Sequence, residues 1–241
     1  MKQAPLAASA MTMLVLATLS ACGGTADSDA VADKPKASVS SAPEVSPSAR
    51  IAKLMVTDAD VKGFIVRKPN TDFVFAKSRD EVTVNKQACT SLAYAMNQLP
   101  LGEPKADLTR VVAKEKAADF DGFTYITLAA YDSDEAQKVM ADVSKSVKAC
   151  TGGFTAKASG GTTTYASLTT ERVTAVGDES LGFKATMSFR GATHTMHTEV
   201  VRNADVIGVY FSVNGIAIAN ARPSDAKLPA SVVAAQSSKL G

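Results

Sequence analysis

Leu181-Gly182-Phe183-Lys184-Ala185-Thr186-Met187-Ser188-Phe189-Arg190 alternates cleanly: Phe183, Ala185, Met187 and Phe189 fall on one side of an extended chain, and Lys184, Thr186, Ser188 and Arg190 on the other. A period of two is that of a strand with one buried face. Gly191 turns the chain into residues 193–202, and Asn203-Ala204-Asp205 turns it again into residues 206–213. Three such runs joined by tight turns make an antiparallel meander. Before them, residues 163–176 are rich in Thr and β-branched residues, with turn signals at Gly160-Gly161 and Gly177-Asp178.

The front half mixes periods. Cys89, Leu92, Ala93, Met96 and Leu99 recur at helical spacing, which predicts a helix over 85–99 stopped by Pro100 and Gly102. Residues 108–116 and 123–131 read as strands, the second rich in Thr, Tyr and Ile. Asp132 or Ser133 then caps a helix, Glu135 completes a capping box with Asp132, and Ala136, Val139, Met140, Val143 and Val147 form its buried stripe up to Cys150 and Gly152-Gly153. Residues 229–239 predict a closing helix with Val232, Val233 and Gln236 inward, while 217–222 carry no clear pattern. The expected class is α+β, a twisted antiparallel sheet with two or three helices packed on one face.

Residues 6–19 form an apolar run too short to span a bilayer, behind a thin positive start at Lys2. With Ser20 and Ala21 before Cys22, this is the layout of an export signal over 1–21. Leu19-Ser20-Ala21-Cys22 resembles the bacterial lipobox, in which the cysteine is lipidated and becomes the new N-terminus; an ordinary secretory signal with a chance cysteine is the plain alternative. Residues 22–49, rich in Ser, Ala and Asp with Pro35, Pro43 and Pro47, read as a disordered tether reaching roughly 30 Å. A single domain over 50–241 follows. The expected location is the outer face of the cytoplasmic membrane, with the membrane engaged through the N-terminal lipid.

Removing 1–21 takes away one lysine and no acid, so the charges nearly balance, which argues against nucleic acid as a partner. Once Cys22 carries lipid, Cys89 and Cys150 remain. In an exported protein they most simply form a disulfide; two buried thiols or a metal pair are the alternatives.

Several motifs invite chemistry and are better read as structure. Asp58, Asp60 and Gly63 fit the first positions of a calcium loop, but Lys62 and Pro69 occupy ligand positions, so a turn is expected. His194 and His197, three apart on a strand, point to opposite faces and do not share a metal. Ser224-Asp225-Ala226-Lys227 matches the Ser-x-x-Lys nucleophile motif but lies near the C-terminal end without partner motifs, and Ser180 sits in a turn one residue off a nucleophile elbow. No catalytic residue, metal or cofactor is expected.

Asp58-Ala59-Asp60-Val61-Lys62-Gly63, the run Val82-Thr83-Val84-Asn85-Lys86-Gln87-Ala88-Cys89, Tyr131-Asp132-Ser133-Asp134-Glu135-Ala136, Lys148-Ala149-Cys150 and Gly177-Asp178-Glu179-Ser180 occur in that order. Together they resemble actinobacterial exported lipoproteins and, more distantly, extracellular sensor domains of the PknH kinase type, over residues 51–240. The resemblance implies an α+β domain with an antiparallel sheet, disulfide-paired cysteines and a cleft for an unidentified ligand. The chain differs in having no kinase domain, no spanning helix, and one candidate disulfide where the kinase sensor has two. No binding residue carries over by motif. Three functions follow in order: a binding or sensor-like module for a small molecule, glycan fragment or lipid; a structural envelope protein that binds a protein partner; and an envelope hydrolase using Ser180 or Ser224 with His194 or His197.

Cys22→Ser is expected to leave the protein unprocessed or to release it from membranes. Fractionation with acyl labelling checks this, and unchanged acylation and retention would refute the lipobox.

Overall fold

In the computed structural model, residues 45–70, 74–158 and 161–241 are described. The expected signal segment, Cys22, most of the tether and the Gly160 turn position lie outside them. The tether was expected to reach residue 49, but the fold begins earlier. Helix α1 (Pro47–Leu54) has Ser46 as its cap, with Ser46 Oγ accepting from Ala49 N at 3.3 Å, and Pro47 in the first turn, where its missing N–H costs nothing.

Among the described residues the sheet has ten strands. In chain order they are β1 (Phe64–Arg67), β2 (Thr83–Val84), β3 (Ala106–Lys114), β4 (Phe123–Ala130), β5 (Phe154–Ala158), β6 (Gly161–Glu171), β7 (Glu179–Phe189), β8 (Ala192–Asn203), β9 (Val206–Val213) and β10 (Ser224–Ala226). The spatial order is β1-β3-β4-β9-β8-β7-β6-β5-β2, all antiparallel, and β10 adds to β8 in parallel. The meander β7–β8–β9 is in register as its alternation requires, with Ala185 opposite Met196 and Val200 opposite Val209.

The remaining helices are α2 (Thr90–Ala95), α3 (Ser133–Ala149), α4 (Gly215–Ala219) and α5 (Ala230–Leu240). They correct the expectation of helices on one face. Along β4, Tyr125 and Ala129 join one core with Leu92 of α2 and Val143 of α3, while Ile126, Leu128 and Ala130 join a second core with Ile51 of α1 and Val232 of α5. Amphipathic helices show the same stripe whichever face they cover, so their distribution could not be read from periodicity. The doubly buried runs Val200-Val201 and Val206-Ile207 are the consequence.

Two local readings also change. The helix over 85–99 is a 3-10 turn at Gln87–Cys89 followed by α2. It ends early because Gln98 turns into the left-handed region, φ 61°, and the amides of Asn97 and Leu99 both return to the Tyr94 carbonyl. The capping box of α3 does not form. Asp132 is the cap residue, but its carboxylate accepts from Lys105 Nζ instead, a charge-assisted bond that competes for the same oxygen.

Each face is tied down differently. On the α2–α3 face a disulfide joins Cys89 to Cys150, Cα atoms 5.9 Å apart, linking the start of α2 to the end of α3. On the α1–α5 face, fully buried Gln236 accepts from Val56 N at 2.9 Å and donates to Leu54 O at 2.8 Å.

The disulfide closes a sequence separation of 61 residues. Replacing both cysteines with serine is expected to lower stability by about 4 kcal/mol in the chain-entropy account. Denaturant unfolding checks it, and an unshifted midpoint would contradict that constraint.

Candidate functional site

The site is built on β8, where alternation sends His194, Met196, Thr198 and Val200 to the α2–α3 face and His197, Glu199 and Val201 to the α1–α5 face. The two histidines do point apart. β9 leaves β8 at the His197–Ser212 pair, and β10 takes the vacated edge, placing Ser224 opposite His194 and Asp225 opposite Thr195. Neighbouring residues of β10 therefore serve opposite faces. Ser224 Oγ lies 3.0 Å from His194 Nδ1 on one face, and Asp225 Oδ1 lies 2.6 Å from His197 Nε2 on the other.

His197 is held from both sides. Its Nδ1 lies 2.6 Å from Glu171 Oε2, which reaches over from β6 across the intervening β7. The β7 residue paired with Glu171 is Gly182, whose partner on β8 is Glu199, while Lys184 stands opposite His197; a Cβ on Gly182 would lie 2.3 Å from Val173 Cγ1 and 3.1 Å from the Glu171 carbonyl oxygen. Glycine lets the 171–176 segment settle on the sheet. An ionised carboxylate accepts and does not donate, so the ring is the donor toward each carboxylate that is ionised. The hydrogen bond from His197, helped by Lys227 Nζ at 3.1 Å, holds the Asp225 carboxyl below the usual carboxylate range.

Glu199 has no such partners. It is 6% exposed, its Oε1 is buried without a hydrogen-bond partner, and burial pushes its pKa up to about 7. Its cross-strand neighbours are Gly182, which has no side chain, and Tyr210, whose hydroxyl pairs with Ser237 Oγ at 3.2 Å.

Above this floor is a cleft of about 380 Å³, lined by His197 and Glu199 below, Glu171 and Val176 of the 171–176 segment on one side, and Leu228 and Val233 at α5 on the other. It combines apolar walls with a few polar groups, the usual make-up of a small-molecule site. A second cleft, about 480 Å³, lies at the start of α3, but its charged groups already pair, Arg50 with Asp205 and Lys105 with Asp132.

The residues singled out in the sequence are placed as follows. Ser224 and His194 meet, but His194 is fully buried, desolvation lowers its pKa, and its Nε2 has no partner, so no acid orients the ring. Lys227 pairs with Asp225 and not with Ser224. Ser180 sits in β7 opposite Val201. Among the described residues no group of three or more His, Cys, Asp or Glu side chains is arranged to hold a metal, and no helix is long and apolar enough to cross a membrane. Glu199, Glu171 and Asp225 were missed as site residues. An acid in a strand reads as solvent-facing, and the only available signal was that β8 lies in the middle of a meander.

The fold is similar to that of the extracellular domain of PknH from Mycobacterium tuberculosis, with a TM-score of 0.51 and 9% identity over 78% of this chain and 91% of that chain. No family model and no curated protein matches the sequence.

A glutamate whose folded pKa is raised favours folding most below its unfolded value, near 4.5, and loses that contribution as pH rises to about 7. At about 1.36 kcal/mol per unit, less what solvent screens at the cleft mouth, the loss is on the order of 2 kcal/mol. Glu199→Gln is therefore expected to be more stable than wild type at pH 8 by that amount and indistinguishable near pH 4. Urea unfolding across this range checks it; parallel pH curves would contradict the burial of Glu199.

Proposed function

We propose that the protein is a lipid-anchored, extracytoplasmic binding protein of the sensor-like kind, which captures a small molecule in the cleft between the 171–176 segment and α5. The observation that carries this reading is Glu199: a buried carboxyl group with an unpartnered oxygen on the floor of an open cleft is costly to the free protein. A bound ligand that satisfies it removes that cost. The fold supports the extracytoplasmic part, since the similar solved structure is an extracellular domain. Leu19-Ser20-Ala21-Cys22 supports anchoring through acylated Cys22 on the outer face of the cytoplasmic membrane.

The other two readings have less behind them. Partner binding through an apolar surface calls for a contiguous patch, yet among the described residues the exposed large apolar side chains are Val45, Phe189 and Ile216. A hydrolase built on Ser224 and His194 has the contact but no orienting acid, and neither residue lines either cleft described above.

Native mass spectrometry of the gently purified chain, expressed in a related host, tests the reading. Extra mass that leaves on denaturation is expected. It should be absent from Ala234→Trp, which fills the cleft from an exposed position on α5. A bare wild type, or a carried molecule retained by Ala234→Trp, would count against the cleft.

A further inference from the structure

We propose that the cleft selects a small organic ammonium, whose cationic head pairs with the Glu199 carboxylate and whose apolar body lies against Val176, Leu228 and Val233. This rests on the cleft being a binding site and names the class of ligand it takes.

The floor's own charges decide the sign. His197 is shared between Glu171 and Asp225, and Lys227 pairs with the second oxygen of Asp225. Each of these groups has its partner, and the other cation of the lining, Arg172, is exposed on the 171–176 wall and not on the floor. Glu199 is left over, 6% exposed, lining the cleft, with Oε1 unpartnered. Its directly paired neighbours supply no cation. Gly182 has no side chain, and the Tyr210 hydroxyl is engaged with Ser237. An anionic ligand would meet a carboxylate at the one position where the floor still needs a partner. An ammonium supplies both the missing donors and the missing charge, and charge-assisted hydrogen bonds are about twice as strong as neutral ones.

The walls decide the rest of the ligand. Val173, Val176, Leu228, Val233 and Ala234 offer hydrocarbon, and about 380 Å³ suits a small molecule and not a polymer. An amine with a compact apolar body satisfies floor and walls together. Because burial raises the Glu199 pKa to about 7, the free site is part neutral near neutral pH, and a bound ammonium draws it to the ionised form. Binding therefore strengthens as pH rises through 7 and weakens below it. The other charged or titratable groups facing this region are His197 on β8, Glu171 and Arg172 at the end of β6, Lys184 opposite His197 on β7, Asp225 and Lys227 at β10, and Tyr210 on β9.

The test uses three probes of one shape, cyclohexylamine, cyclohexanol and cyclohexanecarboxylate, titrated by calorimetry into the full chain in a mild detergent. Wild type and Glu199→Gln are compared at pH 8 and pH 5.5, so that partition into detergent is subtracted by the variant. Cyclohexylamine is expected to bind wild type at pH 8 and to bind about tenfold more weakly to Glu199→Gln and at pH 5.5, the equivalent of one lost charged contact. Were the variant not to fold, the wild-type pH series alone would carry the comparison. Equal affinity for amine and alcohol, or amine binding unchanged by Glu199→Gln, would overturn the ammonium assignment. Preference for the carboxylate would overturn it too, while leaving the cleft a ligand site. No binding by any probe, together with a bare native mass, would sink both the ligand class and the cleft.

Discussion

Burial of the sheet on both faces is the constraint from which the rest follows. With α1 and α5 on one side and α2 and α3 on the other, the central strands keep little wet surface outside the cleft, and every residue of β9 but the last is buried. A polar side chain on these strands must find a partner or carry a penalty. Most find one. Arg202 donates to Asp178 and Glu179, Ser212 donates to the Lys227 carbonyl, Thr127 pairs with Thr109, and His197 lies between two carboxylates. Glu199 differs from its neighbours in being ionisable, buried and without a counter-charge, and it is this contrast that marks the cleft.

The same constraint explains what could be read in the sequence. Strong periodic runs were largely legible: the stripe of α3 and the inward Val232, Val233 and Gln236 of α5 correspond to observed burial, and the alternation of 181–190 holds at Phe183 and Ala185 but fades toward the strand end, where Met187 is half-buried and Phe189 is exposed. So were the α+β class and the antiparallel meander. Periodicity reports that a face is buried, not against what, and so the split of the helices between two faces was invisible. Short elements were invisible for a different reason. β10 is three residues, Ser224-Asp225-Ala226, with no β-branched or aromatic member, and its pairing depends on β9 departing from β8 at Ser212. No local propensity signals an event set by another strand's path.

The candidate site was less legible than the fold because its members come from three places. Glu171 ends β6, His197 and Glu199 sit in β8, and Asp225 lies on β10. They converge only once Gly182 allows the chain after β6 to lie on the sheet and β10 fills the edge beside β8. His194 and His197 were visible as a pair and correctly separated by strand geometry, but their partners were not. The Ser-x-x-Lys spacing proved to be a register effect: Ser224 faces one side of the sheet, Asp225 the other, and Lys227 follows Asp225.

The two faces differ in how firmly they are closed, and this bears on the proposed role of the cleft. The α2–α3 face is fastened by a covalent bond between Cys89 and Cys150, and its core is the larger of the two. The face that carries the cleft is fastened by packing and by non-covalent polar ties along α5: Gln236 to the end of α1, Ser237 to Tyr210, Lys239 to Asp60 and the Leu240 carbonyl to Asn203. Shifting α5 against the floor costs a few weak contacts and not a covalent constraint, each hydrogen bond contributing about 1 kcal/mol net. Glu199 lies under that adjustable wall. The small-molecule capture proposed above calls for one region rigid enough to set the positions of the floor and another able to conform to what enters. The floor strands have the first property through their doubly buried pairing, and α5, held by hydrogen bonds and packing with no covalent tie, has the second.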